Sequence, residues 1–297
     1  MVGSSLNRIL SKSNKVTEVI PATRNDANLF NLKETSDLMK NTMPDVVINS
    51  AAKVGGIHAN NSQRTAFITE NLKINLNIIE ALRNLNSIKF INLGSSCIYP
   101  LDAPNPIRED SLMTGALEPT NSPYAIAKIS AIEMSRALNS DYGNEVVNLM
   151  PTNLYGPKDY FHEDLSHVIP GMIAKMHIAK IDKRKEFAVW GTGKPLREFL
   201  FVDDLALAIE HIIDIKTKHD LINIGSGSEV TILELALKIQ ETVGFEGKII
   251  FDSSKPDGNP RKLLDSTIIK SHGWSPKTSL EEGLVKTYSW YLENISI

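Results

Sequence analysis

The 297 residues predict an α/β protein: a Rossmann-type doubly wound parallel sheet that lacks its first strand, with a smaller α/β lobe beside it. Three observations predict it. Short β-rich runs such as Val46-Val47-Ile48, Phe90-Ile91-Asn92-Leu93 and Val146-Val147-Asn148-Leu149-Met150 alternate with longer stretches at helical spacing. That order lays strands in parallel and covers both sheet faces with helices. The alternation loosens after Pro151, where a loop rich in Gly, Pro, Asp and His (153–166) intervenes. No repeat, low-complexity tract or long linker separates the two parts, so the lobes are expected to interleave, with 1–152 plus about 198–225 in the main body and about 153–197 plus 226–297 in the smaller lobe.

Leu6, Ile9 and Leu10 recur at helical spacing and open the chain on a helix. Residues 16–20 (Val-Thr-Glu-Val-Ile) read as a strand closed by Pro21, 32–39 as a helix, and 45–49 as a strand running into Ser50-Ala51-Ala52. A long helix over 63–85 carries Phe67, Ile68, Leu72, Ile74, Leu76, Ile79 and Leu82. The buried strand at Phe90 follows. The next helix opens at Tyr124, with Asn121 or Ser122 as cap and Pro123 in its first turn. Residues 145–150 form a strand. Past the loop come a helix (167–181), strands (187–190 and 199–202), a helix (203–214), a strand (221–224), a helix (232–243), a strand (249–251), and closing helices near 263–270 and 279–293.

Composition excludes several classes. Apolar content of 42% with 23% charged residues is ordinary for a globular protein, and a net charge of -3 makes no field that draws nucleic acid or an anionic membrane. No apolar run approaches the ~18 residues that span a bilayer, and the N-terminus lacks a signal-peptide pattern. The single cysteine, Cys97, rules out an internal disulfide, so a reducing cytoplasm is the expected compartment. No metal is expected.

A dinucleotide fold starts with strand, glycine-rich turn, helix. The helix is here; of the turn only Gly3 remains, and the strand is absent. The expectation is that roughly a dozen residues, one strand and its turn, are missing from the front; the rival is a fold that does without the strand. Past the second strand stands Arg24 rather than an acid, which suits a 2′-phosphate and hence NADPH over NADH. Ala51-Ala52-Lys53-Val54-Gly55-Gly56, after the next strand, lets backbone approach a dinucleotide.

The chemical centre lies in two stretches: Gly94-Ser95-Ser96-Cys97-Ile98-Tyr99-Pro100 after a strand, and Ser122-Pro123-Tyr124-Ala125-Ile126-Ala127-Lys128 opening a helix. Tyr124 and Lys128 are spaced i, i+4, on one helix face. An ammonium beside a phenol is expected to lower its pKa, so that Tyr124 can exchange a proton with a carbonyl oxygen. Ser95 or Ser96 can donate to the same oxygen.

With these motifs, and with Met150-Pro151-Thr152-Asn153-Leu154-Tyr155-Gly156-Pro157, Ser166-His167-Val168-Ile169-Pro170, Arg197-Glu198-Phe199-Leu200 and Lys255-Pro256-Asp257-Gly258, the chain resembles the extended short-chain dehydrogenase/reductase superfamily over nearly its whole length. Within it, the resemblance is to the family of GDP-4-keto-6-deoxy-mannose 3,5-epimerase/4-reductases, the GDP-L-fucose synthases; the missing glycine-rich turn is the departure. The resemblance implies that Ser95, Tyr124 and Lys128 form the reducing set and Cys97 and His167 the epimerising pair. It implies NADP(H) as cofactor, bound by Gly3, Arg24, Leu93, Gly94, Ser95, Ser96, Lys128, Pro151, Thr152, Asn153, Leu154 and His167. It implies a GDP-sugar substrate touched by Lys175, Trp190, Arg197 and Asp257, with Arg261 and Lys262 as further phosphate contacts, and a homodimer pairing the helices 63–85 and 123–142. Lys175 stands where the family often has arginine, which keeps the charge and loses the planar fork. Two alternatives stay open: another nucleotide-sugar epimerase or dehydratase of the superfamily, and a catalytically inactive binding or dimerisation remnant.

Overall fold

The computed structural model describes all residues except 86, 163–164, 255–256 and 296–297, so Lys255 and Pro256 of the fourth motif lie outside the described residues. The chain opens with α1 (Val2–Leu10), which buries Leu6 and Leu10. Residues 16–20 correct the expectation of a strand: they carry no ladder, although Val16 and Val19 still pack on the cluster that holds Leu6, Leu10 and Ile91. Apolar alternation specifies which side chains go inward, whereas a strand also needs a neighbour to take its N–H and C=O groups. None of the described strands lies outside β1 (Val46–Asn49), the edge of its sheet. Before it comes α2 (Leu32–Thr42), capped by Asn31, whose side chain accepts from Lys33 N and Glu34 N.

The main body continues through α3 (Ile57–Ser62), α4 (Arg64–Leu82), β2 (Lys89–Leu93), α5 (Ser122–Tyr142) and β3 (Glu145–Pro151). Gly143 ends α5 at φ 72°, a left-handed position that favours glycine. The short β4 (Asn153–Tyr155) lies inside the stretch expected to be loop. Then follow α6 (Val168–Ile181), β5 (Glu186–Trp190), β6 (Leu196–Phe201), α7 (Val202–Ile213), β7 (Leu221–Ile224), β8 (Glu229–Thr231) and α8 (Ile232–Val243). The chain closes with β9 (Lys248–Asp252), β10 (Arg261–Lys262), α9 (Thr267–Ser271) and α10 (Leu280–Asn294). The helix expected from 263 begins only at Thr267; Leu263 N and Leu264 N donate instead to Asn105 Oδ1 and Glu198 Oε2.

β1, β2, β3 and β7 form one parallel sheet in that order. Ile91, Val147, Leu149 and Ile222 are fully buried between the helical layers, on the face where α1 and α7 pack. Each such side chain contributes about 1.5–3 kcal/mol relative to exposure. On the opposite face α2 and α4 cover Val47, Phe90 and Val146. A second core joins α6, α8 and α10 to β5 and β6, around Tyr155, Ile173, Met176 and Leu235.

Glu198 ties the two cores together. Its buried carboxylate accepts from Gly227 N at 2.8 Å and Leu264 N at 3.1 Å, while its carbonyl takes Thr152 Oγ1 and Asn153 Nδ2. Burial still pushes the carboxyl above its ordinary range, against those hydrogen bonds. None of the described helices is long and apolar enough to cross a membrane.

Candidate active site

A cleft of about 440 Å³ opens where the carboxyl ends of β2 and β3 face the second core. It is lined from one side by Gly55, Gly56, Ser95, Ser96, Cys97 and Tyr124, and from the other by His167, Lys175, Trp190, Arg197, Asp257 and Lys262. The two chemical stretches therefore meet, together with residues far along the chain. In open parallel sheets this edge is where ligands bind.

Ser95 sits in extended backbone just past β2 and caps the 3₁₀ turn Ser96–Ile98, its Oγ accepting from Cys97 N at 3.4 Å. Asn121 caps α5 by position only. Its side chain makes no capping bond, and the Glu118 carboxylate takes the amides of Thr120 and Asn121 at 3.1 Å. Tyr124 then follows in the first turn, its ring edge-on to Phe67 at 6.1 Å. Lys128 lies one turn behind, 3% exposed, with Nζ 5.8 Å from the centroid of the Tyr124 ring and donating to Leu93 O at 2.7 Å.

The electrostatics reverse one expectation. Burial, reinforced by the nearby Cys97 thiolate, holds the Tyr124 phenol above its ordinary range, and the group pulling it down is Ser95, by hydrogen bond. Lys128 carries its own burial cost: desolvation lowers its ammonium to about 8, with Cys97 acting in the opposite sense. Burial also pushes the Cys97 thiol up. Lys262, expected only as a phosphate contact, is the strongest charge opposing that rise, followed by the Ser95 hydrogen bond and Lys128.

At the far end of the cleft, Trp190 is 58% exposed, with Lys175 Nζ 5.5 Å from its ring, so it is a wall residue and not a core tryptophan. Arg197 is held by the carbonyls of Leu196 and Asn259. Asp257 accepts Thr192 N at 2.8 Å and Thr192 Oγ1 at 2.7 Å. Asn60, unremarked in the sequence, also lines the cleft. Its amide donates to Gly55 O and Gly56 O, leaving a buried Oδ1 with no donor. Among the described residues no group of three or more His, Cys, Asp or Glu is arranged to hold a metal.

Of the expected cofactor contacts, Ser95, Ser96, Asn153, Leu154 and His167 line the cleft. Leu93, Gly94, Pro151 and Thr152 stand at the strand ends beneath it. Gly3 lies in the first turn of α1, where a Cβ would come 3.2 Å from Ser50 Oγ, just past β1. Arg24 is exposed in the turn that Asp26 closes by accepting from Thr23 N, and does not line the cleft. The donor set fits a dinucleotide: α1 has no side-chain cap, so its first amides offer hydrogen bonds to an anion, and Lys128 commits only one of its three protons to Leu93.

Comparison with known proteins agrees with this geometry. Residues 1–225 match the family described as NAD dependent epimerase/dehydratase. A probable GDP-L-fucose synthase 1 of Oryza sativa subsp. japonica is 49% identical over 99% of this chain and 90% of its own length. The GDP-L-fucose synthase of Escherichia coli K12 is 45% identical over 99% and 94%. Among solved structures, a GDP-L-fucose synthetase from Naegleria fowleri bound to NADP superposes with a TM-score of 0.89 at 26% identity, covering 99% of this chain and 91% of that one. The chain belongs to the NAD dependent epimerase/dehydratase family, and within it to the GDP-L-fucose synthases.

Proposed function

We propose that this chain converts GDP-4-dehydro-6-deoxy-D-mannose to GDP-L-fucose by 3,5-epimerisation followed by NADPH-dependent reduction at C4. The observation that carries this reading is the convergence of Ser95, Cys97, Tyr124 and His167 on one cleft, from both sides of it. The C4 ketone acidifies the hydrogens at C3 and C5. Cys97, as thiolate, removes each proton from one face, and His167 returns one from the other. Ser95 and Tyr124 donate to the enolate oxygen that forms between these steps. NADPH, when bound, supplies hydride to C4. Tyr124 gives its proton to the C4 oxygen, and its upward-shifted phenol makes it an acid that stays protonated until that moment.

The residues that would hold NADPH are the first amides of α1 around Gly3, Lys128 at the nicotinamide ribose, the strand ends at Leu93-Gly94 and Pro151-Thr152, and Asn153 and Leu154. Arg24 is assigned to the 2′-phosphate. Lys175, Arg197 and Asp257 take the nucleotide part of the GDP-sugar, with Trp190 as a wall. The main body is the dinucleotide-binding domain and the second core the nucleotide-sugar lobe. A homodimer forms through α4 and α5, which leave Leu76, Ile126 and Tyr142 between 43% and 48% exposed. The protein works in the cytoplasm, where its one thiol stays reduced.

A dehydratase would need an acid beside Cys97 to eliminate water. Among the described residues the one carboxylate lining the cleft is Asp257, and Thr192 holds it. The test is to supply the keto-sugar and NADPH: equimolar NADPH consumption and GDP-L-fucose are expected. NADPH consumption that yields the unepimerised 6-deoxy sugar overturns the reading.

A further inference from the structure

Asn60 lines the cleft but has no part in the chemistry above. It is 7% exposed and belongs to α3, whose N-cap position is Gly56, a residue with no side chain to cap with. Asn60 makes the missing bonds from inside the helix. Its Nδ2 donates to Gly55 O at 2.7 Å and to Gly56 O at 3.1 Å, and its backbone N–H donates to Gly56 O at 3.0 Å. Two carbonyls can be met only by the NH₂ end of an amide, so the orientation of the side chain is fixed. That orientation leaves Oδ1 buried without a donor, a state native structures rarely keep without a use. Gly55 and Gly56 in turn lie against the segment that leads to His167. Gly56 N donates to Leu165 O at 3.1 Å, and a Cβ on Gly56 would come 2.4 Å from Ser166 O, so the two backbones touch. The glycines follow β1 in the main body, whereas Leu165 and Ser166 lead into α6 of the second core. The contact therefore joins the two sides of the cleft.

We propose that Asn60 is a positioning residue for His167, acting through the Gly55–Gly56 peptide. This rests on the reading of His167 as the proton donor in epimerisation. Gly55 O and Gly56 N–H belong to one planar peptide unit. Asn60 holds its oxygen end and Leu165 O accepts from its nitrogen end, so fixing one end of the plane aims the other. The backbone of residues 165–167 follows that plane, and the imidazole follows the backbone. Proton delivery to carbon depends steeply on such placement, with about 1 Å of error costing on the order of 100-fold.

The test separates the two half-reactions. Asn60→Leu keeps the side chain's size and removes the clamp. It should slow deuterium exchange at C3 and C5 of the keto-sugar, measured without NADPH, by on the order of 10–100-fold. NADPH-dependent reduction of the already epimerised 4-keto sugar should stay within about threefold of the unmodified chain, which also shows that the variant folds. Asn60→Asp, which turns the donor end into oxygen facing two carbonyls, should give the same split. In a His167→Gln background Asn60→Leu should cost nothing further, because the two residues act as one unit. Equal losses in both half-reactions, or a full additional loss in the His167→Gln background, would overturn the proposal in favour of a structural role. Exchange lost in His167→Gln but intact in Asn60→Leu would overturn the clamp alone. If His167→Gln leaves exchange untouched, it is the assignment of His167 that fails, and the positioning role falls with it.

Discussion

Replacing Lys128 with methionine should make this protein more stable and nearly inactive in reduction. The ammonium is 3% exposed and sits at about 8 against an ordinary 10.5. At about 1.4 kcal/mol per unit, keeping it charged in the folded chain costs about 3 kcal/mol. Methionine removes that cost, fills a similar volume, and leaves Leu93 O without the 2.7 Å donor it has now. A buried carbonyl short of a partner costs about 1–3 kcal/mol, so the net gain at pH 7 is about 0–2 kcal/mol. The sign depends on pH. A folded-state pKa below the unfolded one is a penalty that is complete below about pH 8 and fades as the unfolded lysine also loses its proton near 10.5. The advantage of Lys128→Met should therefore shrink by about 2 kcal/mol between pH 7 and about pH 9.5. Urea unfolding of both proteins at the two pH values, at unchanged m, reads this directly. A variant less stable at pH 7, with a difference that does not move with pH, would refute the idea that Lys128 is held against its burial cost.

Two more outcomes follow from the cleft. A Cβ on Gly56 would come 2.4 Å from the backbone oxygen of Ser166, so Gly56→Ala must push away the segment that carries His167. Exchange at C3 and C5 should fall by more than about tenfold while reduction of the epimerised ketone falls less, the loss that about 1 Å of misplacement brings; equal losses would argue against that geometry. Because Cys97 is the single cysteine, its alkylation by iodoacetamide reports its thiolate alone. The pH at which alkylation reaches half its maximal rate should lie above the ordinary thiol range and move higher still in Lys262→Met; no movement would remove Lys262 from the thiol's surroundings.

How much was legible depended on how local each feature is. Tyr124 and Lys128 could be paired from spacing alone, since i and i+4 share a helix face whatever surrounds them. The parallel sheet was legible because Ile91, Val147 and Ile222 sit in short apolar runs between helical stretches. Cys97 and His167 are 70 residues apart in sequence, and only the resemblance joined them before the cleft did. Residues 16–20 read as a strand because alternation marks an inward face and says nothing of a partner. The two- and three-residue strands β10, β4 and β8 exist only because β6 pairs with all of them, so no local signal announces them. The direction of the Tyr124 shift was missed for a related reason: a neighbouring charge can be read from sequence, but the burial that outweighs it cannot. Asn60 was invisible, because a missing hydrogen-bond partner is a property of three-dimensional packing.

The central claim is that one cleft both inverts C3 and C5 and reduces C4. The most direct measurement is the reaction of GDP-4-dehydro-6-deoxy-D-mannose with NADPH in deuterated water, reading the label in the product by NMR. The account predicts deuterium at both C3 and C5 of GDP-L-fucose, and a loss of that label in Cys97→Ser far greater than any loss in C4 reduction of the epimerised ketone. A product free of deuterium at C3 and C5, or equal losses of exchange and reduction in Cys97→Ser, would contradict it.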